Sequence, residues 1–360
     1  RGMKKTIVIA EAGVNHNGSE SLARQLIDAA VEAGADFVKF QTFKATEISG
    51  QNAPLAEYQA AALKEDNSQL KMLQKLEISY EMHRNLQNYC RQKNISFIST
   101  AFDCESLRFL NEDLQIDLIK IPSGELFNPL LLIDAGRTGK PVVLSTGMAS
   151  LGDVETALGV LAFGMLKSPN KPGNKAFKEA FVSAEGQKLL KERVRLLHCV
   201  TEYPAAFADL NLRVLDTMHM AFGLEVGLSD HSPGINMAIA AVARGATMIE
   251  KHFTIDRNLP GPDHQASLEP HELAEMIRGI REVELALGSG RKIPNPAELK
   301  IADVARRSLV AAADIAAGEA FSSDNVGLKR PGTGLSPMQY FEILGKKAPR
   351  CFKKGEMLEF

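Results

Sequence analysis

Long apolar runs are scarce in this chain of 360 residues. The first, Thr6 to Ala10, stops at Glu11, far short of a signal-peptide core or a membrane span. A surplus of charge is missing too: 42 Lys and Arg stand against 44 Asp and Glu, a formal net charge of −2. That balance argues against a nucleic-acid or polyanion surface as the main business. Cysteine is sparse, with Cys90, Cys104, Cys199 and Cys351 showing no close pairing. Cys104 and Cys199 fall in or beside predicted strands and read as small apolar groups. These shortages lead us to expect a cytoplasmic protein with a small-molecule partner, no membrane and no nucleic acid. Arg1-Gly2 ahead of Met3 reads as an appended remnant.

What is present is a regular alternation. With 45% hydrophobic residues the chain can bury a large core. Short apolar or β-branched runs recur at Thr6–Ala12, Phe37–Thr42, Ser96–Ala101, Leu118–Pro122, Pro141–Ser145, Val194–Val200, Leu224–Ser229 and Met248–Phe253. Between them lie stretches such as Leu22, Leu26, Ile27 and Ala30, or Leu273, Met276, Ile277 and Ile280, with the spacing of a buried helical stripe. Eight such units predict an α/β fold, a (β/α)8 TIM barrel of about 250 residues, followed by a smaller unit.

Ligands bind at the carboxyl ends of parallel strands, and the residue types there are unusual. His231 and His252 end two consecutive predicted strands separated by a helix, which makes them neighbours facing one cation. A lone histidine is more often a satisfied interior residue; two at equivalent positions argue for a shared metal. Glu11, Lys39, Gln41, Ser99, Thr100, Lys120, Ser123, Ser145, Thr146, His198, Thr201, Ser229 and Glu250 also fall at or just past strand ends. Loops beginning at strand ends account for serines and threonines. They do not account for Lys39, Lys120 and Glu250, whose charges are costly beside apolar strands unless paired or bound to something.

The residues divide the chain into a catalytic barrel over 1–288, a linker over 289–301 and a β-rich domain over 302–360. Two insertions interrupt the count. Ala45 to Tyr80 follows the second strand and reads as a lid or wall over the site. Gly164 to Lys191 precedes the sixth strand and reads as decoration or an oligomer contact.

Lys39, Lys120 and the hydroxyls describe a pocket for an anion with more than one charged group, such as a phosphorylated carboxylic acid. The metal pair could polarise a carbonyl, and Glu11, Glu125, Glu250 and Asp263 are candidate proton carriers. The chemistry that follows is metal-assisted carbon–carbon bond formation or cleavage on an anionic substrate. A Schiff-base lysine at Lys39 or Lys120 and a non-catalytic sugar-binding barrel remain as alternatives.

Ten ordered segments carry a resemblance to a known family. Among them are Ile9-Ala-Glu-Ala-Gly-Val-Asn-His-Asn-Gly18, Val38-Lys-Phe-Gln-Thr42, Lys120-Ile-Pro-Ser-Gly-Glu125, Leu144-Ser-Thr-Gly-Met148, Gly227-Leu-Ser-Asp-His231, Glu250-Lys-His-Phe-Thr254, Gly261-Pro-Asp-His264 and Lys329-Arg-Pro-Gly332. They span nearly the whole chain, which resembles the sialic acid synthases: N-acetylneuraminate synthases and relatives making legionaminic and pseudaminic acids.

The resemblance implies a TIM barrel with an antifreeze-like SAF domain as its tail. It also implies condensation of phosphoenolpyruvate with an open-chain N-acetylated hexosamine, with C–O cleavage and release of phosphate. N-acetylmannosamine is the expected sugar, and the 2,4-diacetamido-2,4,6-trideoxymannose of the legionaminic pathway is the alternative. By the same resemblance His231 and His252 hold manganese or magnesium, with Glu11 and Lys120 catalytic beside them. Lys39, Thr100, Lys120, Ser123, Ser145, Thr201 and Ser229 match phosphoenolpyruvate contacts, and Gln41, Tyr203 and Asp263 match the sugar side. Arg330 matches an arginine that reaches another subunit, so a domain-swapped homodimer is implied. Thr201 departs from the asparagine that some members carry. The 3-deoxy-heptulosonate phosphate synthases, another barrel family, are the nearest enzymatic alternative; their phosphorylated sugar calls for a second basic cluster that the sequence does not show.

Overall fold

The computed structural model describes residues 5–49, 59–60 and 69–360. Residues 1–4, which include the Arg1-Gly2 read as an appended remnant, and residues 50–58 and 61–68 of the first insertion lie outside the described residues. The chain separates into two compact units, Arg1–Gly288 and Ser289–Phe360.

In the first unit eight parallel strands close into a barrel: β1 Ile7–Gly13, β2 Phe37–Thr42, β3 Ser96–Ala101, β4 Ile119–Ile121, β5 Val142–Ser145, β6 Val194–Cys199, β7 Glu225–Asp230 and β8 Met248–His252. Closure is made by β8 on β1, with Glu11 opposite His252. Alternation along each strand sorts the side chains. Val8, Ala10, Ala12, Val38 and Phe40 pack outward with the helices in the large core. Ile9, Ile98, Leu118, Val143, Leu197 and Met248 form a separate apolar cluster, the filled layer beneath the site. Gly227 faces this layer because a Cβ there would lie 2.2 Å from the Met248 carbonyl oxygen and 2.8 Å from Leu197.

The helices begin where the sequence supplies caps. Ser19 accepts from the Leu22 N–H ahead of Glu20–Ala33, and Ser150 forms a reciprocal capping box with Asp153 ahead of Leu151–Met165. The second insertion is two further helices, Asn174–Val182 and Ala184–Arg193, ahead of β6. It is packed structure: Phe177 meets Phe163 edge-on at 5.3 Å. Among the described residues no helix is long and apolar enough to cross a membrane.

The second unit holds the helix Pro296–Ala305 and an antiparallel pair, β9 Ser308–Ala311 with β10 Val326–Lys329. Its core is Leu309, Ile315, Phe321, Val326, Ile343 and Phe352. The stretch read as a linker therefore carries the first part of a helix, started by Asn295 and Glu298 in a capping box. Pro296 occupies the first turn of this helix, where a missing N–H costs nothing.

Candidate active site

One cavity of about 340 Å³ lies within the barrel unit, lined by Glu11, Lys39, Gln41, Thr100, Lys120, Ser123, Ser145, Thr201, Tyr203, Ser229, His231, Glu250, His252 and Asp263. The barrel residues singled out as catalytic, substrate or metal groups are therefore gathered in one place, with Glu125 the exception. Strand register explains this: Glu11 pairs with Lys39, Thr100 with Lys120, and Ser229 with Glu250 across adjacent strands. Arg330 lies in the second unit, exposed on the bend after β10.

The lysine end is a charge cluster with almost no solvent. Lys39 Nζ sits 2.9 Å from Glu11 Oε2 and 3.7 Å from Glu250 Oε2, and donates to Thr100 Oγ1 at 2.6 Å. Lys120 Nζ lies 3.4 Å from Glu250 Oε1, which also accepts from Ser229 Oγ at 3.1 Å. Burial pushes the Glu11 carboxyl up against the pull of Lys39, and repulsion from Glu250 adds to the shift. Burial opposes charge on Glu250 as well, yet Lys120 and Lys39 outweigh it and hold that carboxyl down. Burial lowers Lys120, whereas Glu11 and Glu250 overcome burial at Lys39 and raise it. Glu250 thus neutralises only part of two ammonium groups, and Glu11 drifts toward its neutral form. The imbalance favours an anion. Ser145 Oγ is buried there without a hydrogen-bond partner among the described residues, an orphan polar atom that a ligand would satisfy. Gly147 permits the close packing of this end: a Cβ on it would fall 2.1 Å from Thr201 Oγ1 and 2.7 Å from Ser123 Oγ.

At the imidazole end the His231 and His252 ring centroids are 5.6 Å apart. His231 Nδ1–H donates to the Val200 carbonyl at 2.7 Å, which leaves the lone pair on Nε2, beside the Tyr203 hydroxyl at 3.1 Å. His252 Nδ1 is buried with no hydrogen-bond partner among the described residues, 4.0 Å from Asp263 Oδ2. Burial, reinforced by His231 and Lys39, keeps His252 neutral, and burial raises Asp263 to about 6. A neutral His252 and a His231 whose Nδ1 is fixed on a backbone carbonyl offer two imidazole donors of the kind a borderline divalent cation takes. Among the described residues no third His, Cys, Asp or Glu converges with them to complete a metal cage. A cation held here therefore draws its remaining ligands from water and substrate.

Some expectations need correcting. Glu125 accepts from Asn128 Nδ2 at 2.8 Å and does not line the cavity, because the chain turns into a 3-10 helix at Ser123 and carries Glu125 away. His198, Ser99 and Thr146 end strands but make other contacts. His198 bonds the Leu210 carbonyl, Ser99 bonds Thr42, and Thr146 bonds the Leu197 carbonyl. Cys199, read as a plain apolar group, lines the cavity with its sulfur 3.7 Å from His231 Nδ1. The alternation that places Ser229 inside also places Cys199 inside, so the signal was present.

Comparison with known proteins assigns a class to this barrel with its paired lysines and paired histidines at the carboxyl ends of the strands. The NeuB family profile matches residues 26–292 and the SAF domain profile matches residues 306–360. The chain belongs to the NeuB family. It is 46% identical over 356 residues to an N,N'-diacetyllegionaminic acid synthase of Campylobacter jejuni, covering 99% of both chains. It is 40% identical to the Legionella pneumophila protein of the same name, covering 99% of this chain and 95% of that one. The solved N-acetylneuraminic acid synthetase of Leptospira borgpetersenii, in complex with citrate, is 33% identical with a TM-score of 0.68, over 83% of this chain and 91% of that one.

Proposed function

We propose that this protein condenses phosphoenolpyruvate with 2,4-diacetamido-2,4,6-trideoxymannose, forming N,N'-diacetyllegionaminate and phosphate. The observation that carries the reading is the pair Lys39 and Lys120 sharing Glu250 in the same cavity as His231 and His252. The relatives at 46% and 40% identity, both over nearly the whole chain, favour this sugar over the N-acetylmannosamine of the sequence reading.

Lys39 and Lys120, with Ser123, Ser145 and Thr201, bind the carboxylate and phosphate of phosphoenolpyruvate in a water-restricted pocket where charge-assisted bonds are strong. Gln41, Tyr203 and Asp263 orient the open-chain sugar so that its aldehyde carbon faces C3 of the enol phosphate. When a divalent cation, manganese or magnesium, is held by His231 and His252, the chemistry it supplies is Lewis-acid polarisation of that aldehyde. Carbon–carbon bond formation leaves C2 cationic while the aldehyde oxygen takes up a proton and becomes a hydroxyl; water adds at C2, and the C2–O bond to phosphate breaks as the remaining proton of that water is lost to give the 2-keto group. Burial pushes the Glu11 carboxyl up to about 7, which makes its ionised form a stronger base, placed beside the reacting atoms to take the proton from that water. Lys39 and Lys120 hold the developing phosphate charge. We place the enzyme in the cytoplasm, which suits the four free cysteines, as a homodimer in which Arg330 of one subunit completes the sugar site of the other.

Purified protein given phosphoenolpyruvate and manganese with either sugar tests the reading. The diacetamido sugar should be consumed with equimolar phosphate and have a kcat/KM at least about tenfold above that of N-acetylmannosamine. Higher kcat/KM with N-acetylmannosamine would refute the substrate, and no phosphate release with either sugar would refute the reaction.

A further inference from the structure

With the lysine end assigned to phosphoenolpyruvate and the imidazole end to the aldehyde, one wall of the cavity remains. It is built by Ile48, Phe102 and the helix Gln69–Leu76. That helix presents Gln69, Met72, Leu73 and Leu76 to the cavity, the i, i+3, i+4, i+7 face of an amphipathic helix. Lys71, Gln74 and Lys75 lie on its other faces and are exposed. Met72 and Leu76 are buried in a small cluster with Val14 and Phe43 that holds the helix in place. Leu73 is half-buried and keeps apolar surface available to a ligand. Ser49 Oγ donates to Gln69 Oε1 at 3.1 Å, which leaves the Gln69 amide nitrogen as the donor this face can offer. Among the described residues, the wall contributes no charged group to the cavity.

We propose that this helix face selects the far end of the sugar. Leu73, with Ile48 and Phe102, takes the C6 methyl of a 6-deoxy hexosamine, and the Gln69 amide takes an acetamido carbonyl. A C6 hydroxyl entering the wall loses hydrogen bonds to water without replacement, and a C6 phosphate meets no cation among the described residues of the wall. The inference rests on the condensing reaction proposed above and adds what decides between substrates.

The test uses two sugars that differ only at C6, N-acetylmannosamine and its 6-deoxy analogue, with the full-length enzyme, phosphoenolpyruvate and manganese. Wild type should favour the 6-deoxy sugar by about 10- to 100-fold in kcat/KM, the range one group in an apolar pocket commands. Leu73→Asn should cut that preference by about tenfold, while Leu73→Met keeps it. The KM for phosphoenolpyruvate should stay within about twofold in both variants, which reports an intact fold and anion end. Equal use of the two sugars by wild type would overturn the inference, and so would an unchanged ratio in Leu73→Asn; the wild-type ratio decides even if that variant fails to fold. If no sugar is condensed at all, the diacetamido sugar included, the parent reading falls and takes this one with it.

Discussion

Lys251 and Asp230 form an ion pair of 2.8 Å between β8 and β7, their side chains 1% and 0% exposed, each one residue from a histidine of the cavity. The other Asp230 oxygen accepts the Ser232 N–H and hydroxyl, and Lys251 also donates to the Ser232 carbonyl. The chain following His231 is thereby anchored to the strand that carries His252. Breaking a buried pair leaves an uncompensated charge, a cost of about 3–5 kcal/mol. Lys251→Met should lower unfolding free energy by that amount in urea, and adding Asp230→Asn should recover part of it. A loss under about 1 kcal/mol in the single variant would mean the pair is not a structural anchor.

The two imidazoles should account for cation binding. Calorimetric titration of chelator-treated protein should find about one manganese site per chain, and activity should vanish with the metal and return with it. His231→Ala and His252→Ala should each abolish the binding heat while the melting temperature stays near wild type, because neither ring carries the core. Undiminished manganese binding in either variant would place the cation elsewhere.

The parts of this site legible in the sequence are those that follow strand periodicity. Lys39 and Gln41, Ser229 and Glu250, and His252 enter the cavity because a period of two admits only two faces and the other face is apolar. The same rule puts Cys199 inside beside Ser229, whereas Glu125 escapes it because a 3-10 turn after β4 breaks the period. The Asp230–Lys251 pair was not foreseen, since the outward face of a barrel strand is expected to be apolar and nothing in the local sequence says that two charges will meet there. The selecting wall sits in a long insertion whose placement depends on tertiary packing against Val14 and Phe43. Its position after β2 puts it on the face of the site, as the sequence implies; which of its residues face the cavity is not written in that position.

Acid should destabilise the barrel through two histidines outside the chemistry. His16 and His83 are both 0% exposed. Burial lowers each from 6.5 to about 4; repulsion from His83 adds to the shift at His16, and at His83 burial outweighs the hydrogen bond to the Ser79 carbonyl. In the unfolded chain both protonate near pH 6.5, so the unfolded state binds more protons below that value. The stability they contribute is present above about pH 6.5 and is lost as pH falls toward 4, up to about 3 kcal/mol for each ring. Urea unfolding across this window should show that slope, and His83→Asn should reduce it by up to about 1.4 kcal/mol per pH unit. An unchanged slope would show that His83 is not held neutral.

Arg330 offers a test of the proposed dimer. Arg330→Ala should raise the sugar KM, at a cost of roughly 1.5–3 kcal/mol for one charge-assisted contact, and leave the phosphoenolpyruvate KM almost unchanged. Mixing Arg330→Ala with His231→Ala under conditions that exchange subunits should restore part of the activity, because one composite site then contains both native residues. No recovery despite verified exchange would show that Arg330 does not act across subunits.

The reaction itself is tested most directly with phosphoenolpyruvate carrying heavy oxygen at the bridging position, incubated with the enzyme, manganese and 2,4-diacetamido-2,4,6-trideoxymannose. Attack of water on C2 and rupture of the C–O bond require the label to leave in inorganic phosphate, with an unlabelled nine-carbon keto acid as product. Label retained in the keto acid, or a borohydride-trapped adduct on Lys39 or Lys120, would contradict the mechanism.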